Sequence, residues 1–207
     1  MNLIEIDCSH FDCSKVSSCC NMFSLCEKLE KINFGNLNFS LSESFEKMFL
    51  QCKNLIELNV SNFNTKNGIY FNSMFEGCEK LKKINVEHFK TSNCVDINCI
   101  FKDCKNVTEI DILNWDMSKI ERKEFGNPIK KIFYGCEKLK LIKMNVNFIK
   151  KEDLKLEKNL YFDSIIKIKL KLFKGIADNG LFMWKKGLNC DFILEELPFN
   201  WNRKEVE

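Results

Sequence analysis

The chain repeats one phrase of amino acids along most of its length, and this repetition restricts its fold more than any other feature. The stretch "MFLQCKNLIELNV" from Met48 to Val60 returns 26 residues later as "MFEGCEKLKKINV" from Met74 to Val86. In each copy a phenylalanine is followed by a cysteine three residues on, and then by aliphatic residues at the same interval. The phenylalanines that begin the five copies are Phe23, Phe49, Phe75, Phe101 and Phe133.

The copies recur at a nearly constant spacing. Four of them lie 26 residues apart, and the fifth follows after 32 residues, so six extra residues precede Ile129. A partial copy opens the chain, because Leu3, Ile6 and Cys8 lie one period before their counterparts. A fixed period of this size is typical of a solenoid, in which each repeat covers its apolar face by stacking on the next.

Two hydrophobic patterns alternate within each repeat. Phe71, Met74, Phe75 and Cys78 follow the spacing of one face of a short helix. Residues 57–60 alternate polar and apolar side chains, as in a strand with one buried face. We therefore predict an α/β solenoid with one short parallel strand and one short helix per repeat. An aromatic column should close each strand from inside; it consists of Phe11, Phe63, Phe89 and Trp115, with Leu37 in the same place.

The Leu-x-x-Leu-x-Val phrase followed by a short helix resembles a leucine-rich repeat. The longer Met-Phe-x-x-Cys-x-x-Leu-x-x-Leu-x-Leu phrase is similar to the BspA-like leucine-rich repeat family, over roughly residues 3–146. The resemblance implies a curved solenoid that binds proteins or matrix components, often as a surface adhesin, with no catalytic residues to carry over. The usual buried Asn after the strand is replaced here by the aromatic column. We expect a leucine-rich repeat solenoid over residues 1–146 and a capping segment over residues 147–207.

The chain contains 12 cysteines, and their positions follow the repeat. Stacked side chains point in the same direction, whereas a disulfide needs Cβ atoms that face each other about 3.8 Å apart. We therefore expect buried thiols that act as small apolar fillers. These are Cys19, Cys26, Cys52, Cys78, Cys104 and Cys136.

The alternative hypothesis is a cysteine-dependent redox or metal-binding protein. The spacing of Cys94, Cys99 and Cys104 matches no structural zinc signature, and the chain has only two histidines, His10 and His88. Cys94 lies close to His88 in sequence, which is the minimum arrangement for a thiol nucleophile with a base. We predict no metal and no other cofactor.

The solvent side of the predicted strands carries two polar columns. The first alternates in charge from Glu5 to Glu109, and the second is made of Asn and Asp side chains. Opposite charges on neighbouring strands also fix the register, contributing about 0.2–1 kcal/mol per pair, so this column has a purely structural interpretation as well. The residues predicted to contact a partner on the concave face are Lys31, Asn33, Glu57, Asn59, Ser61, Lys83, Asn85, Glu87, Glu109 and Asp111.

Charge and motifs restrict the kind of partner. The net charge is only +3, and no basic stripe suggests a phosphate backbone, so nucleic acid is not expected. The sequence contains no Gly-rich phosphate loop, metal-binding helix or nucleophile elbow. We predict a non-enzymatic protein-interaction module, an adhesin-type or scaffold protein, that binds a protein or peptide. An enzymatic site within the C-terminal segment is a third hypothesis.

In the C-terminal segment, the alternation of apolar residues and lysines in "SIIKIKLKLF" predicts a strand. One face of this strand is apolar, and the other is formed by Lys167, Lys169 and Lys171. Such lysines discourage edge aggregation or bind an acidic partner. The stretches "LFMWKK" and "FILEELPFNW" should fold back over the last repeat. At the N-terminal end, few residues precede the first repeat. We therefore expect the exposed surface of the first repeat to be a candidate for dimerisation.

Two observations bear on location. No uncharged apolar run approaches the roughly 18 residues that span a bilayer, so membrane insertion is not expected. The start "MNLIEIDCSHF" lacks the features of a secretory signal. Together with the unpaired cysteines this favours the cytoplasm, whereas the family resemblance points to the cell surface.

Overall fold

The structure is a computed structural model that describes residues 3–116, 118–120, 131–145, 168–173 and 181–186. Its regular elements are short strands, and these described residues contain no helix. The strands are β1 (Glu5–Asp7), β2 (Lys31–Asn33), β3 (Glu57–Leu58), β4 (Glu109–Ile112), β5 (Leu141–Asn145), β6 (Ile168–Phe173) and β7 (Leu181–Lys186). We number the repeats 1 to 5 from their first aliphatic residue: Leu3, Leu29, Leu55, Leu81 and Val107.

The first three strands form a parallel sheet in which neighbours are one repeat apart. Glu5 lies opposite Lys31, and Lys31 lies opposite Glu57. Ile32 is buried between the exposed residues Lys31 and Asn33, because successive side chains of a strand point to opposite faces. The pairing therefore joins residues 26 positions apart, as the sequence repeat predicts.

The remaining four strands form a second sheet in the order β4-β5-β7-β6. β4 and β5 are parallel, whereas β7 is antiparallel to both β5 and β6. β7 is the stretch "LFMWKK" and β6 lies within "SIIKIKLKLF". In repeat 4 the equivalent residues 83–85 form no strand, so the strand predicted in every repeat is interrupted there. The stretch "FILEELPFNW" lies outside the described residues.

The short helix predicted for residues 71–81 is absent, and the segment is a series of turns. Alternate N–H groups donate to the next repeat instead of to the residue four positions back. Phe71 donates to Asp96 O at 2.9 Å, and Phe75 donates to Ile100 O at 2.9 Å. Between them the N–H of Met74 closes a turn onto Phe71 O at 3.2 Å. Every second backbone N–H of this segment therefore connects repeats, and the i→i−4 pattern of an α-helix does not form.

The same segment contains two left-handed residues in each repeat, four positions apart. In repeat 3 these are Ser73 (φ 55°) and Gly77 (φ 74°). Most equivalents are not glycine, so the conformation costs on the order of 1–2 kcal/mol at each of them. The inter-repeat hydrogen bonds offset this strain. The equivalents are Asn21, Leu25, Lys47, Gln51, Cys99, Asp103, Lys131 and Gly135.

The core is continuous through the stack, and its central feature is a column of phenylalanine rings. The rings of Phe23, Phe49, Phe75, Phe101 and Phe133 stack with centroids 5.7–5.9 Å apart and nearly parallel planes. The second predicted column is buried at Leu37, Phe63, Phe89 and Trp115. Phe11 was expected in that column, but this was wrong, because its side chain is 57% exposed. Among the described residues only repeat 2 packs against repeat 1, so Phe11 is covered from one side.

Candidate functional site

The predicted partner-binding residues of repeats 2, 3 and 5 lie on the polar side of the strands or just after them; we call this surface, together with the equivalent residues of repeat 4, the strand face. Eight of the ten are exposed, and Asn85 and Asp111 are half-buried. Strand pairing brings Lys31 directly beside Glu57. Lys83, Asn85 and Glu87 belong to repeat 4, where no strand forms.

The alternating charges of the strand face are mostly not engaged in ion pairs. Within the described part of this column, no lysine nitrogen of repeats 2 to 4 lies within 4.0 Å of a carboxylate. The face is neutralised only at its end, where Lys143 Nζ lies 2.6 Å from Glu109 and 3.4 Å from Asp111. The hydrogen bond to Glu109 raises the pKa of Lys143. The charges from Glu5 to Lys83 remain available to a ligand.

The Asn and Asp column has a local structural role that the sequence interpretation missed. Asp7, Asn33, Asn59 and Asp111 each accept the backbone N–H two residues later and so end their strands, with distances of 2.8–3.2 Å. Asn33 also donates from Nδ2 to Asp7 Oδ1 at 3.2 Å. Hydrogen bonds from Ser9 lower the pKa of Asp7. These turns are the Asx turns expected of such residues, and the spacing Asx-x-Ser or Asx-x-Gly was a usable signal.

Asn59 differs from Asn33 in one respect that matters for binding. Its Oδ1 is used by the N–H of Ser61 at 3.0 Å, but its Nδ2 donates to no atom of the described residues. Asn62, one turn later, uses its Nδ2 in long 3.4 Å contacts with repeat 2, and its Oδ1 accepts no hydrogen bond from the described residues. Directly after β3, the chain therefore offers a free donor on Asn59 and a free acceptor on Asn62.

A pocket of about 90 Å³ opens beside these two amides, between repeats 2 and 3. Its buried side consists of Ile32, Phe34, Leu37 and Phe63, and the two phenylalanine rings lie edge-to-face with centroids 5.0 Å apart. Its exposed rim includes Asn33, Asn59 and Asn62. The sequence contained a signal for this pocket, because Leu37 is the smaller member of an otherwise aromatic column.

Repeat 4 contains two buried polar atoms that have no partner within the described part of the chain. They are Asn85 Oδ1 and His88 Nε2. Asn85 occupies the Asx-turn position, but the turn is not formed. The ring of His88 lies edge-on to Phe89 at 5.1 Å. The loss of this turn coincides with the gap between the two sheets.

The predicted burial of the repeat cysteines is confirmed, and each thiol is 8% exposed or less. The thiols also form a ladder. Cys52 donates from Sγ to Phe23 O at 3.1 Å, and Cys78 donates to Phe49 O at 3.2 Å. Cys104 and Cys136 repeat the contact at 3.1 and 3.0 Å. A small residue with a weak donor therefore joins each repeat to the preceding one.

Burial also makes these thiols poor nucleophiles. It raises the pKa of Cys19 to about 11 and the pKa values of Cys52 and Cys136 to about 12. The pKa of Cys94 is likewise raised to about 12 by burial. Because the thiolate is the reactive form, these residues do not supply one at neutral pH. Within the described residues, no three Cys, His, Asp or Glu side chains form a group that could hold a metal ion.

A second column of alternating charge, which the sequence interpretation missed, does form ion pairs. Lys53 contacts Glu27 at 2.8 Å, and Lys105 contacts Glu79 at 2.9 Å. Each pair joins residues 26 positions apart on neighbouring repeats. The 26-residue spacing was the available signal. These pairs hold repeats in register at positions away from the strand face.

The pairing register of the second sheet connects β6 and β7 to β4 through β5. β6 and β7 align Lys169 with Lys185, and β5 and β7 align Lys185 with Leu141, which lies opposite Glu109. The described residues include no helix that could cross a bilayer.

Comparison with known proteins identifies the family of the chain. A family described as "Mycoplasma protein of unknown function, DUF285" matches residues 18–141, which is more than half of the chain. The chain belongs to the DUF285 family. No curated protein and no solved structure matches it. The matched region of this DUF285 chain includes the Phe-x-x-Cys repeats and β2, β3 and β4, and it ends at the first residue of β5.

Proposed function

We propose that this DUF285 chain is a non-enzymatic interaction module that binds a protein or peptide through its strand face. We further propose that the stack is a leucine-rich repeat solenoid of BspA-like type, with strands on its concave side. The Met-Phe-x-x-Cys phrase and the 26-residue pairing of strands support this interpretation.

One observation carries the proposal. The strand face combines exposed, mostly unpaired charges with side-chain amides over successive repeats, while the opposite sides of the same strands are buried. Both signs of charge are interspersed along the face. A polypeptide carries complementary charges and amide groups at similar spacing, whereas a phosphate backbone would be repelled by Glu57 and Glu87.

The test is the capture of a partner from the source cell and its measurement with purified components. A variant in which Glu57, Asn59, Lys83 and Asn85 are changed to Ala should lose most of the affinity for the identified partner. A matched variant changes Asn38, Glu43, Asn64 and Lys66 to Ala, which removes the same number of charges and amides outside the strand face. This control should bind like the unmodified chain.

Equal affinity of the strand-face variant and the unmodified chain would overturn the proposal. Equal loss in both quadruple variants would also contradict it, because the effect would then not be specific to the strand face. Thermal unfolding of each variant shows whether it remains folded.

A further inference from the structure

The pocket between repeats 2 and 3 has the size of a small aliphatic side chain. A cavity of about 150 Å³ holds benzene, which has six carbon atoms, so a volume near 90 Å³ has room for roughly three. The buried side of the pocket is apolar, since it consists of Ile32, Phe34, Leu37 and Phe63. A valine side chain contributes three carbon atoms, which match the volume of the pocket and the apolar residues on its buried side.

The rim of the pocket matches a peptide backbone. The free Nδ2 of Asn59 can donate to a carbonyl oxygen, and the free Oδ1 of Asn62 can accept from an N–H. One donor and one acceptor are the groups that a peptide unit requires. Asn33, the third rim amide, already donates to Asp7 Oδ1 from Nδ2 and accepts the N–H of Gly35 at Oδ1.

Two residues that line the pocket are smaller than their equivalents in other repeats. Repeat 2 carries Leu37 where repeats 3 to 5 carry Phe63, Phe89 and Trp115. It also carries Gly35, which lines the pocket, where the neighbouring repeats 1 and 3 carry Ser9 and Ser61. Two smaller residues therefore coincide at the pocket.

We propose that this pocket anchors one valine-sized side chain of a peptide partner, whose backbone is held by Asn59 and Asn62. The inference rests on the proposed function and specifies the partner's chemistry at one point of the strand face. The Val-containing segment lies across repeats 2 and 3.

The test uses N-acetyl-valine methylamide as the probe and N-acetyl-glycine methylamide as its control, titrated into the full chain and followed by amide NMR shifts. The valine compound should give saturable shifts at Gly35, Asn62 and Phe63 with a millimolar dissociation constant. The glycine compound lacks three carbon atoms and should bind about 50-fold more weakly. Equal shifts with both compounds, or shifts that do not saturate, would overturn the inference.

Three variants sharpen the test. Leu37→Phe makes repeat 2 like its neighbours, fills the pocket and should abolish the saturable shifts. Asn59→Asp keeps the Asx turn, as Asp7 and Asp111 do at equivalent positions, but removes the donor. It should weaken binding about fivefold, the usual contribution of one hydrogen bond.

The matched control is Asn64→Asp, which makes the same change in another Asx turn and lies outside the pocket. It should leave valine binding unchanged; an equal loss in Asn64→Asp and Asn59→Asp would overturn the role of Asn59. The two proposals fail separately. A captured partner that depends on the strand face but is unaffected by Leu37→Phe refutes the pocket and leaves the proposed function standing. If the valine compound binds saturably but capture of the partner is unaffected by the strand-face variant, the proposed function is refuted and the pocket stands.

Discussion

Replacing Phe75 with Ala should destabilise the chain severely. The ring is fully buried and stacks on Phe49 at 5.7 Å and on Phe101 at 5.8 Å. Loss of a large core aromatic costs about 3–5 kcal/mol, and each aromatic pair adds about 0.5–1.5 kcal/mol beyond buried area. Because Phe75 takes part in two such pairs, we expect a loss near the upper end, about 5 kcal/mol.

The assay is urea unfolding followed by far-ultraviolet circular dichroism, with Phe11→Ala as the matched control. Phe11 is 57% exposed, so its removal should cost less than about 1 kcal/mol. Repeats in a stack stabilise each other through nearest-neighbour contacts, so Phe75→Ala should lower the unfolding midpoint of the whole repeat region. A Phe75→Ala chain within about 1 kcal/mol of the unmodified chain would refute the buried phenylalanine column.

Three further outcomes are expected. Stability should fall above pH 9, because the folded pKa values of Cys52, Cys94 and Cys136 are about 12 against a usual 9.0, so that only the unfolded thiols ionise. Each of these thiols should lower the free energy of unfolding by about 1.4 kcal/mol per pH unit between pH 9 and its folded pKa. A free energy of unfolding that urea titrations find constant over this pH range would contradict the burial of the thiols. Gly77→Ala should cost about 1–2 kcal/mol in the same assay because its φ is +74°, whereas Gln51→Ala, at the left-handed position one repeat earlier, should change little; equal costs would contradict this explanation. Glu79→Lys places three lysines together, with Lys53 and Lys105, and should lower the thermal midpoint by a few degrees at low salt; an unchanged drop in high salt would indicate that charge is not the cause.

The 26-residue period was enough to predict which residues of successive repeats become neighbours. It placed Cys52 and Cys78 in one buried column and Glu5 beside Lys31, because identical positions in a stack meet one strand spacing apart. It could not predict Phe11, whose exposure depends on how many neighbours its repeat has.

The missing helix has a different cause. Phe71, Met74, Phe75 and Cys78 share one face in a helix and also in a series of turns, so hydrophobic spacing does not distinguish the two. The deciding feature is the destination of the N–H groups, which reach the next repeat. Only Gly77 and Gly135 hint at the left-handed residues, since the other eight positions carry ordinary side chains.

The candidate site was predictable in position but not in detail. The polar columns followed from alternation along the strands, as Lys31, Ile32 and Asn33 illustrate. The pocket depends on how Leu37 and Phe34 of repeat 2 pack against Phe63 of repeat 3, and on which side-chain amide groups the turns leave without a hydrogen bond. Both are properties of contacts between repeats.

The central claim is that residues one period apart lie in adjacent layers. A nuclear Overhauser experiment on methyl-labelled protein tests it directly at Ile6, Ile32 and Leu58, which β1, β2 and β3 place in one row. The account predicts cross-peaks from Ile32 to both other residues and none between Ile6 and Leu58, which are two layers apart. A folded chain in which Ile32 shows no cross-peak to Leu58 would contradict the stack and every contact derived from it.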